Sequence, residues 1–514
     1  MKNTEEYKNT GRNNNLSVDD RFNLNSSNIK ELSIRGGAIT LTTQVISQCI
    51  TVASVVILAR LLTPEDYGTV AMVTAITGIV TLFRELGLSG ATVQSKTITH
   101  DQISTLFWIN VGLGTLITLI IAASGPFIAR FYDKPELIWV TVGISFTSLF
   151  SCLGTQHGAL LRRHMRFKAI AVIQISALFA GFVTAVFVAL SGGTYWALVA
   201  NTVVAALCNS AGLWIASDFR PGLPSRSADI RKFIHFGVSV VGFDIAYYFR
   251  DNVDKILIGR VWGAHQLGLY SKAFSLLALP IQNLRYPLGR VAFPAMSRLQ
   301  NEPERFRGYF IKYCSFLAFA SMPLVSILYL CSENIIRVFL GEQWLGAIEL
   351  FRILAIAGFI QTVATLRTTV IMASGHSKRL WRWGLYNAAS TVIAFIFGLP
   401  WGAKGMAIAY CIVNYVMLHP MLLYAVKDTP VRPVDFYRSI VYPFLASITM
   451  CALYLLVLAD FLKMSDIIVL SIAVPSCAII YLAIFYLLPG GKQRFKDYRE
   501  YVGIMFRRSS QAKP

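Results

Sequence analysis

Apolar stretches of about 20 residues, each long enough to cross a bilayer core as a helix, recur along almost the whole chain. Fourteen can be counted, at roughly 37–59, 68–90, 103–124, 137–157, 169–190, 196–216, 233–253, 267–290, 309–330, 348–370, 383–400, 404–426, 439–459 and 467–488. Lipid offers no partner to backbone N–H and C=O groups, so such stretches must satisfy them internally, as helices. The expected fold class is an all-α polytopic membrane protein with about 14 transmembrane helices. Hydrophobic residues fill 55% of 514 positions and charged residues only 14%. So many long apolar runs exclude a soluble protein with buried core helices.

A second feature divides these stretches. Residues 57–68 read ILARLLTPEDYG and residues 257–268 read LIGRVWGAHQLG, each with an arginine (Arg60, Arg260) eight residues before a glycine (Gly68, Gly268). Further matches follow in the same order. Phe83-Arg84-Glu85-Leu86-Gly87 aligns loosely with Leu284-Arg285-Tyr286-Pro287-Leu288-Gly289, and Ile128-Ala129-Arg130-Phe131 with Ile336-Arg337-Val338-Phe339. Trp196-Ala197-Leu198-Val199-Ala200 parallels Met406-Ala407-Ile408-Ala409-Tyr410. Six stretches separate equivalent points, an even number, so the repeats run parallel about an axis along the membrane normal. The expected organisation is a polar N-terminal tail (1–36), an N-lobe (37–216), a linker (217–232) and a C-lobe (233–426). Two extra helices (439–488) and a basic tail (489–514) follow.

Charge sets the orientation. Lys and Arg at one set of alternate span ends outnumber those at the other roughly fourfold, counting Arg84, Arg285 and Arg290 with the inner ends. The positive-inside rule then places both termini, the linker and the basic tail in the cytoplasm. The net charge of +20 reads as topology and attraction to anionic lipid. Basic residues dispersed over short loops do not suit nucleic acid. The eight cysteines lie in or beside apolar stretches without paired spacing, so they read as small core residues rather than disulfides or metal ligands. The tail to Gly36 has no apolar core and is not a signal peptide. No Walker A loop, zinc-protease pair or nucleophile elbow is present, the seven histidines are scattered, and no extramembrane segment could hold a soluble catalytic domain. No cofactor, metal or catalytic residue is expected.

Ionisable residues at membrane depth are costly and therefore carry functional expectations. Arg84 lies about 24 Å below Gly68 at 1.5 Å per residue, and Arg285 lies at a similar depth below Gly268. The duplication thus places one guanidinium in each lobe at matching height, suited by its planar donors to phosphate. The seventh stretch carries Asp244, Arg250, Asp251, Asp254 and Lys255. The i,i+4 spacings Arg250–Asp254 and Asp251–Lys255 permit local ion pairs, while Asp244 has no such partner and suits coupling to a proton or cation. Arg352 is a further candidate for a cavity, and Arg367, near the inner end of the tenth stretch, is expected to snorkel to the interface. Pro280, Pro287 and Pro294 are expected to kink or break the eighth helix.

Residues 250–274 (RDNVDKILIGRVWGAHQLGLYSKAF), Phe293-Pro294-Ala295-Met296-Ser297-Arg298-Leu299 and ILARLLTPEDYG resemble the Wzx-like oligosaccharide-lipid flippases. These form the polysaccharide transporter family of the multidrug/oligosaccharidyl-lipid/polysaccharide exporter superfamily, and the resemblance covers about residues 30–490. It implies two six-helix lobes around a central cavity in the bacterial plasma (inner) membrane, with lateral portals near 42–54 and 276–288. It also implies translocation of undecaprenyl-diphosphate-linked oligosaccharide for surface polysaccharide, lipopolysaccharide or exopolysaccharide, by alternating access. On this resemblance Arg84, Arg285, Arg250 and Arg352 are the candidate substrate-binding residues, and Asp244 or Asp251 the candidates for coupling to an H+ or Na+ gradient. Expected partners are the lipid-linked substrate, membrane lipids and, in the same assembly line, a polymerase and glycosyltransferases. An ion-coupled multidrug antiporter of the same superfamily is the alternative. A major-facilitator carrier lacks support because 84–102 has no basic signature loop, and a membrane glycan polymerase lacks support because the outer loops are short.

Overall fold

The structure is a computed structural model that describes residues 29–83, 88–95, 98–225, 231–458 and 465–498. Side chains are described throughout these stretches except at 29–35, 88, 91, 231–247, 377–378 and 457–458. The described residues are helical, with no strand among them. In chain order the first half contains α1 (Ile29–Leu61), α2 (Pro64–Thr81), α3 (Leu88–Gln94), α4 (His100–Tyr132), α5 (Leu137–Arg163), α6 (Phe167–Leu190) and α7 (Trp196–Ala216). The second half contains α8 (Arg231–Arg298), α9 (Pro303–Leu330), α10 (Ser332–Phe339), α11 (Ala347–Ala364), α12 (Leu366–Ala373), α13 (Ser377–Gly398), α14 (Gly402–Val416) and α15 (Leu418–Val426). It closes with α16 (Pro433–Leu453) and α17 (Asp466–Leu487).

Among the described residues, ten helical segments are long and apolar enough to cross a membrane, from Gly36–Leu61 to Asp466–Leu487. This agrees with an all-α polytopic membrane protein and leaves the expected number of fourteen open. Large apolar side chains point outward, with Phe187 70% and Ile215 82% exposed. A water-soluble fold would bury them; a lipid-facing surface displays them.

α8 is one long element only in name. Its single non-helical residue is Gly263 (φ 80°, ψ 179°), a left-handed φ that side chains resist. Gly263 stands 200 residues after Thr63, the residue that caps α2. Thr63 and Asp66 form a reciprocal capping box and Pro64 occupies the first turn, so the second element of each copy starts at an equivalent residue. The three prolines do not break the helix. It runs unbroken through Pro280, Pro287 and Pro294, of which the last two are exposed.

The two copies of the repeat pack against each other. α2 lies on α8 more extensively than on any helix of its own half. A Cβ added to Gly68 would sit 1.7 Å from the Ala264 carbonyl oxygen, and one added to Gly268 would sit 1.8 Å from the Pro64 carbonyl oxygen. The contact is reciprocal, backbone on backbone, and only glycine fits at either centre.

Burial reports what this crossing joins. The largest core cluster draws Ala59, Met72, Ile128 and Val140 from the first half together with Leu267, Tyr270, Trp344, Phe351 and Met406 from the second. At the opposite end the halves have separate cores. One gathers Ile103, Leu106, Phe107, Leu160 and Phe219, and the other Met296, Phe306, Phe310, Val363 and Phe436. The halves therefore share their largest core at the end that carries the 57–68 and 257–268 segments, while the buried clusters at the other end each draw on one half and α3 touches α8 there.

Gly268→Ala and Gly68→Ala are each expected to lower the stability of the purified protein by roughly 1–3 kcal/mol, because no rotamer relieves a methyl against a carbonyl. Gly37→Ala, whose added Cβ meets nothing within 4 Å, should leave stability unchanged or slightly higher. Thermal unfolding in detergent distinguishes them, and an unperturbed Gly268→Ala protein would refute the packed crossing.

Candidate functional site

The arginines that mark the repeat each grip the other half. Arg60 Nη2 donates to the Val338 carbonyl at 2.6 Å. Arg260 Nη1 pairs with Asp133 Oδ2 at 2.5 Å and lies 5.8 Å from the Phe131 ring centroid. Asp133 and Gly341 follow the aligned segments at the same distance and both have left-handed backbones, φ 55° and 98°. Each arginine therefore reaches the equivalent junction of the opposite half.

Side chains between the halves close this end. The last carbonyls of α1 have no partner within the helix. Gln343 Nε2 donates to Ala59 and Leu62 at 2.5 and 2.9 Å, and Trp344 Nε1 donates to Ala59 at 2.8 Å. The Trp344 ring meets Tyr67 edge-on at 5.3 Å. The other face of Tyr67 is used as well: Lys272 Nζ, on a residue 6% exposed, sits 3.9 Å from its centroid. Lower on α2, Thr74 and Ala75 accept hydrogen bonds from the Tyr248 hydroxyl. At the edge, a hydrogen bond and charge from Lys134, 2.7 Å away, hold the Glu65 carboxyl below the usual carboxylate range.

The charges of α8 pair differently from the i,i+4 expectation. Arg250 Nε and Nη2 donate to Asp251 Oδ1 at 2.7 and 2.5 Å. Lys255 Nζ donates to Asn252 Oδ1 at 2.9 Å. Asp254 turns inward, 6% exposed, and its Oδ2 accepts from the Tyr270 hydroxyl at 2.9 Å. That hydroxyl reaches the carboxylate from across the helix break and supplies the donor a buried carboxylate needs.

The remaining candidates are spread along the second half. Arg285 is half-buried, 5.2 Å from the Tyr286 centroid and within electrostatic reach of Tyr313. Arg352 donates to Ser332 Oγ at 2.7 Å and approaches Glu333 at 3.5 Å, which also holds Arg337 at 3.0 Å. This cluster lies beside an open groove of about 480 Å³ lined by Arg60, Arg337, Gln343 and Asp466, so Arg352 stands with the joined end and apart from Arg285. Arg84 lies outside the described residues, as does the Asp244 side chain; the Arg84–Arg285 pairing is thus not visible. Sequence reasoning missed Trp344, Tyr67 and Tyr270, whose roles arise only when the halves meet. It also sent Arg367 to the interface, whereas Arg367 is 7% exposed, because α13 covers it with Trp383. Among the described residues no cluster of His, Cys, Asp or Glu could hold a metal ion.

The class this fold defines is a polytopic, all-helical membrane protein with a transporter fold. It is similar to an inward-closed structure of the lipid II flippase MurJ, with a TM-score of 0.69 at 14% identity over 90% of this chain and 99% of that one. It is also similar to an inward-facing multidrug resistance MATE family transporter of the MOP superfamily, with a TM-score of 0.58 at 12% identity over 74% of this chain and 93% of that one. A family model described as polysaccharide biosynthesis protein matches residues 57–349, and the chain belongs to that family. Its relatives include the Escherichia coli (strain K12) lipopolysaccharide biosynthesis protein WzxC, 25% identical over 78% of this chain and 82% of that protein. Others are the Bacillus subtilis (strain 168) teichuronic acid biosynthesis protein TuaB, 26% identical over 79% and 86%, and the Rhizobium meliloti (strain 1021) succinoglycan biosynthesis transport protein ExoT, 25% identical over 73% and 77%. These matches agree with the Wzx-like resemblance read from the sequence.

Trp344→Phe and Gln343→Ala each withdraw a donor from the end of α1 and should each cost about 1 kcal/mol. The Arg260–Asp133 pair, with side chains 45% and 73% exposed, should show a coupling of only roughly 0.2–1 kcal/mol in a double-mutant cycle. Denaturation of the purified variants ranks them, and an Arg260–Asp133 coupling larger than the Trp344→Phe cost would contradict the ranking.

Proposed function

We propose that this protein carries undecaprenyl-diphosphate-linked oligosaccharide across the bacterial inner membrane for surface or exopolysaccharide assembly, by alternating access of two lobes at 37–216 and 233–426. It is a membrane transport protein and not an enzyme. The observation that carries the reading is the asymmetry of the core, shared by both halves at one end and divided at the other. A carrier needs two arrangements that open on opposite sides, so the shared core at the joined end, with its glycine crossing, clasps and exposed ion pairs, must part as the divided end closes. With the basic loops in the cytoplasm, the joined end faces outward and the divided end opens inward.

In this reading the diphosphate enters from the inner side and meets the guanidiniums of Arg285 and Arg250, with Arg84 as the counterpart in the N-lobe. The polyprenyl tail stays in lipid beside α1 and α8. Guanidinium suits the task because its planar donors take two phosphate oxygens at once. Arg250 is already paired with Asp251, so an arriving diphosphate competes for it and releases a carboxylate. That exchange links substrate binding to proton or cation uptake at Asp251, with Asp244 as the second candidate. Arg352, beside the joined end, meets the headgroup after the lobes have rocked. Charge pairs of this kind are exchanged rather than broken, which keeps the cost of crossing low. The polymerase and glycosyltransferases of the same assembly line supply and consume the substrate.

The alternative, an ion-coupled multidrug antiporter, draws on the similarity of fold to a multidrug transporter. Inverted vesicles loaded with lipid-linked oligosaccharide separate the two. The wild-type protein should translocate the glycan, Arg285→Ala and Arg250→Ala should each slow it by roughly tenfold or more, and Asp251→Asn should blunt its dependence on the ion gradient. Ion-driven efflux of cationic drugs without glycan translocation would favour the antiporter.

A further inference from the structure

Buried hydrogen-bond donors nearly always have acceptors. Two neighbouring donors in the second half do not. Arg367 stands in the first turn of α12 and is 7% exposed; its Nε donates to the Ala364 carbonyl at 2.8 Å, but its Nη1 has no partner. The guanidinium carbon lies 5.9 Å from the ring centroid of Trp383 on α13, a residue 4% exposed whose indole Nε1 is also without a partner. The groups that act electrostatically on Arg367 are Arg250, a like charge, and Tyr437, whose hydroxyl is 3.1 Å from His419 Nδ1. No carboxylate is paired with Arg367 among the described residues.

A buried guanidinium with no carboxylate against it is unfavourable unless something negative joins it. A water molecule could accept both orphan bonds, yet it would leave the charge uncompensated. An oxyanion satisfies the donors and the charge together. We propose that Arg367 and Trp383 form an oxyanion site in the second half that receives a phosphate or carboxylate group. Trp383 packs in one buried cluster with Ile371, Met421 and Ala425, which fixes its ring before the ligand arrives. The site deepens the glycan-carrier reading and rests on it for the identity of the natural ligand. The oxyanion belongs either to the diphosphate of the lipid carrier or to a carboxylate on an acidic sugar.

The test uses the full chain in phosphatidylcholine nanodiscs, titrated with farnesyl diphosphate, farnesyl phosphate, farnesol and an acidic disaccharide without lipid. Farnesyl diphosphate should change tryptophan emission, and Trp383→Phe should remove that change. Arg367→Gln should weaken binding roughly tenfold or more, with Arg367→Lys between. Without ligand, Arg367→Gln should unfold at the same temperature as the wild type or higher, because an unpaired buried cation is removed. A purely structural arginine would instead lower it. Binding of the disaccharide rather than farnesyl diphosphate would assign the oxyanion to the glycan. Unchanged farnesyl diphosphate and disaccharide affinities in Arg367→Gln, or a variant that fails to fold, would overturn the site. The glycan-carrier reading fails separately, if wild-type vesicles do not translocate lipid-linked oligosaccharide.

Discussion

Two helix starts with the same ancestry cross at Gly68 and Gly268, with nothing between their backbones. The rest of the joined end depends on that approach. It brings Tyr67 between Lys272 and Trp344, and carries Gln343 and Trp344 under the open carbonyls of α1. It also sets Arg60 and Arg260 within reach of opposite halves. Because each copy supplies the same glycine and receives the other's carbonyl, the contact is self-complementary in the manner of a symmetric dimer interface, here within one chain. At its centre such a surface is backbone on backbone, and the shared core and the side-chain clasps surround that centre.

Charge is distributed to suit the same design. Near the joined end, exposed edge pairs such as Arg260–Asp133 and Glu65–Lys134, which hold geometry at small energetic cost, stand beside the buried Asp66 and Lys272. In the second half two groups are enclosed, Asp254 held by Tyr270 and Arg367 by a backbone carbonyl and the face of Trp383, while the Arg250–Asp251 pair keeps its carboxylate exposed. A membrane protein retains enclosed ions only where packing surrounds them or function requires them.

Much of this was legible in the sequence, for identifiable reasons. Helix identity followed from hydrophobic length alone, because lipid permits no other way to satisfy a lone spanning backbone. The repeat was visible because Arg60 to Gly68 and Arg260 to Gly268 preserve spacing as well as residue type. Its meaning was not, since sequence similarity cannot say that the two copies touch. In the sequence Arg60 and Arg260 only mark the repeat, and the fold turns them into exchanged grips. The pairing of Asp254 failed for a similar reason: local spacing favoured Arg250, while Tyr270 lay 16 residues on, across a break marked by one glycine. Arg367 was misplaced because depth along a helix says nothing about what covers it, and α13 covers it.

In our proposal the 57–68 and 257–268 segments form a gate that parts during transport. Glu65 and His265 are both exposed and within electrostatic reach across the crossing, so cysteines at these positions can be joined without altering the packed centre. In a chain lacking its native cysteines, Glu65→Cys with His265→Cys should cross-link with a short bifunctional thiol reagent. The linked protein should stop translocating lipid-linked oligosaccharide in inverted vesicles, and cleavage of the linker should restore it. Full translocation by the cross-linked protein would contradict a gate at this crossing.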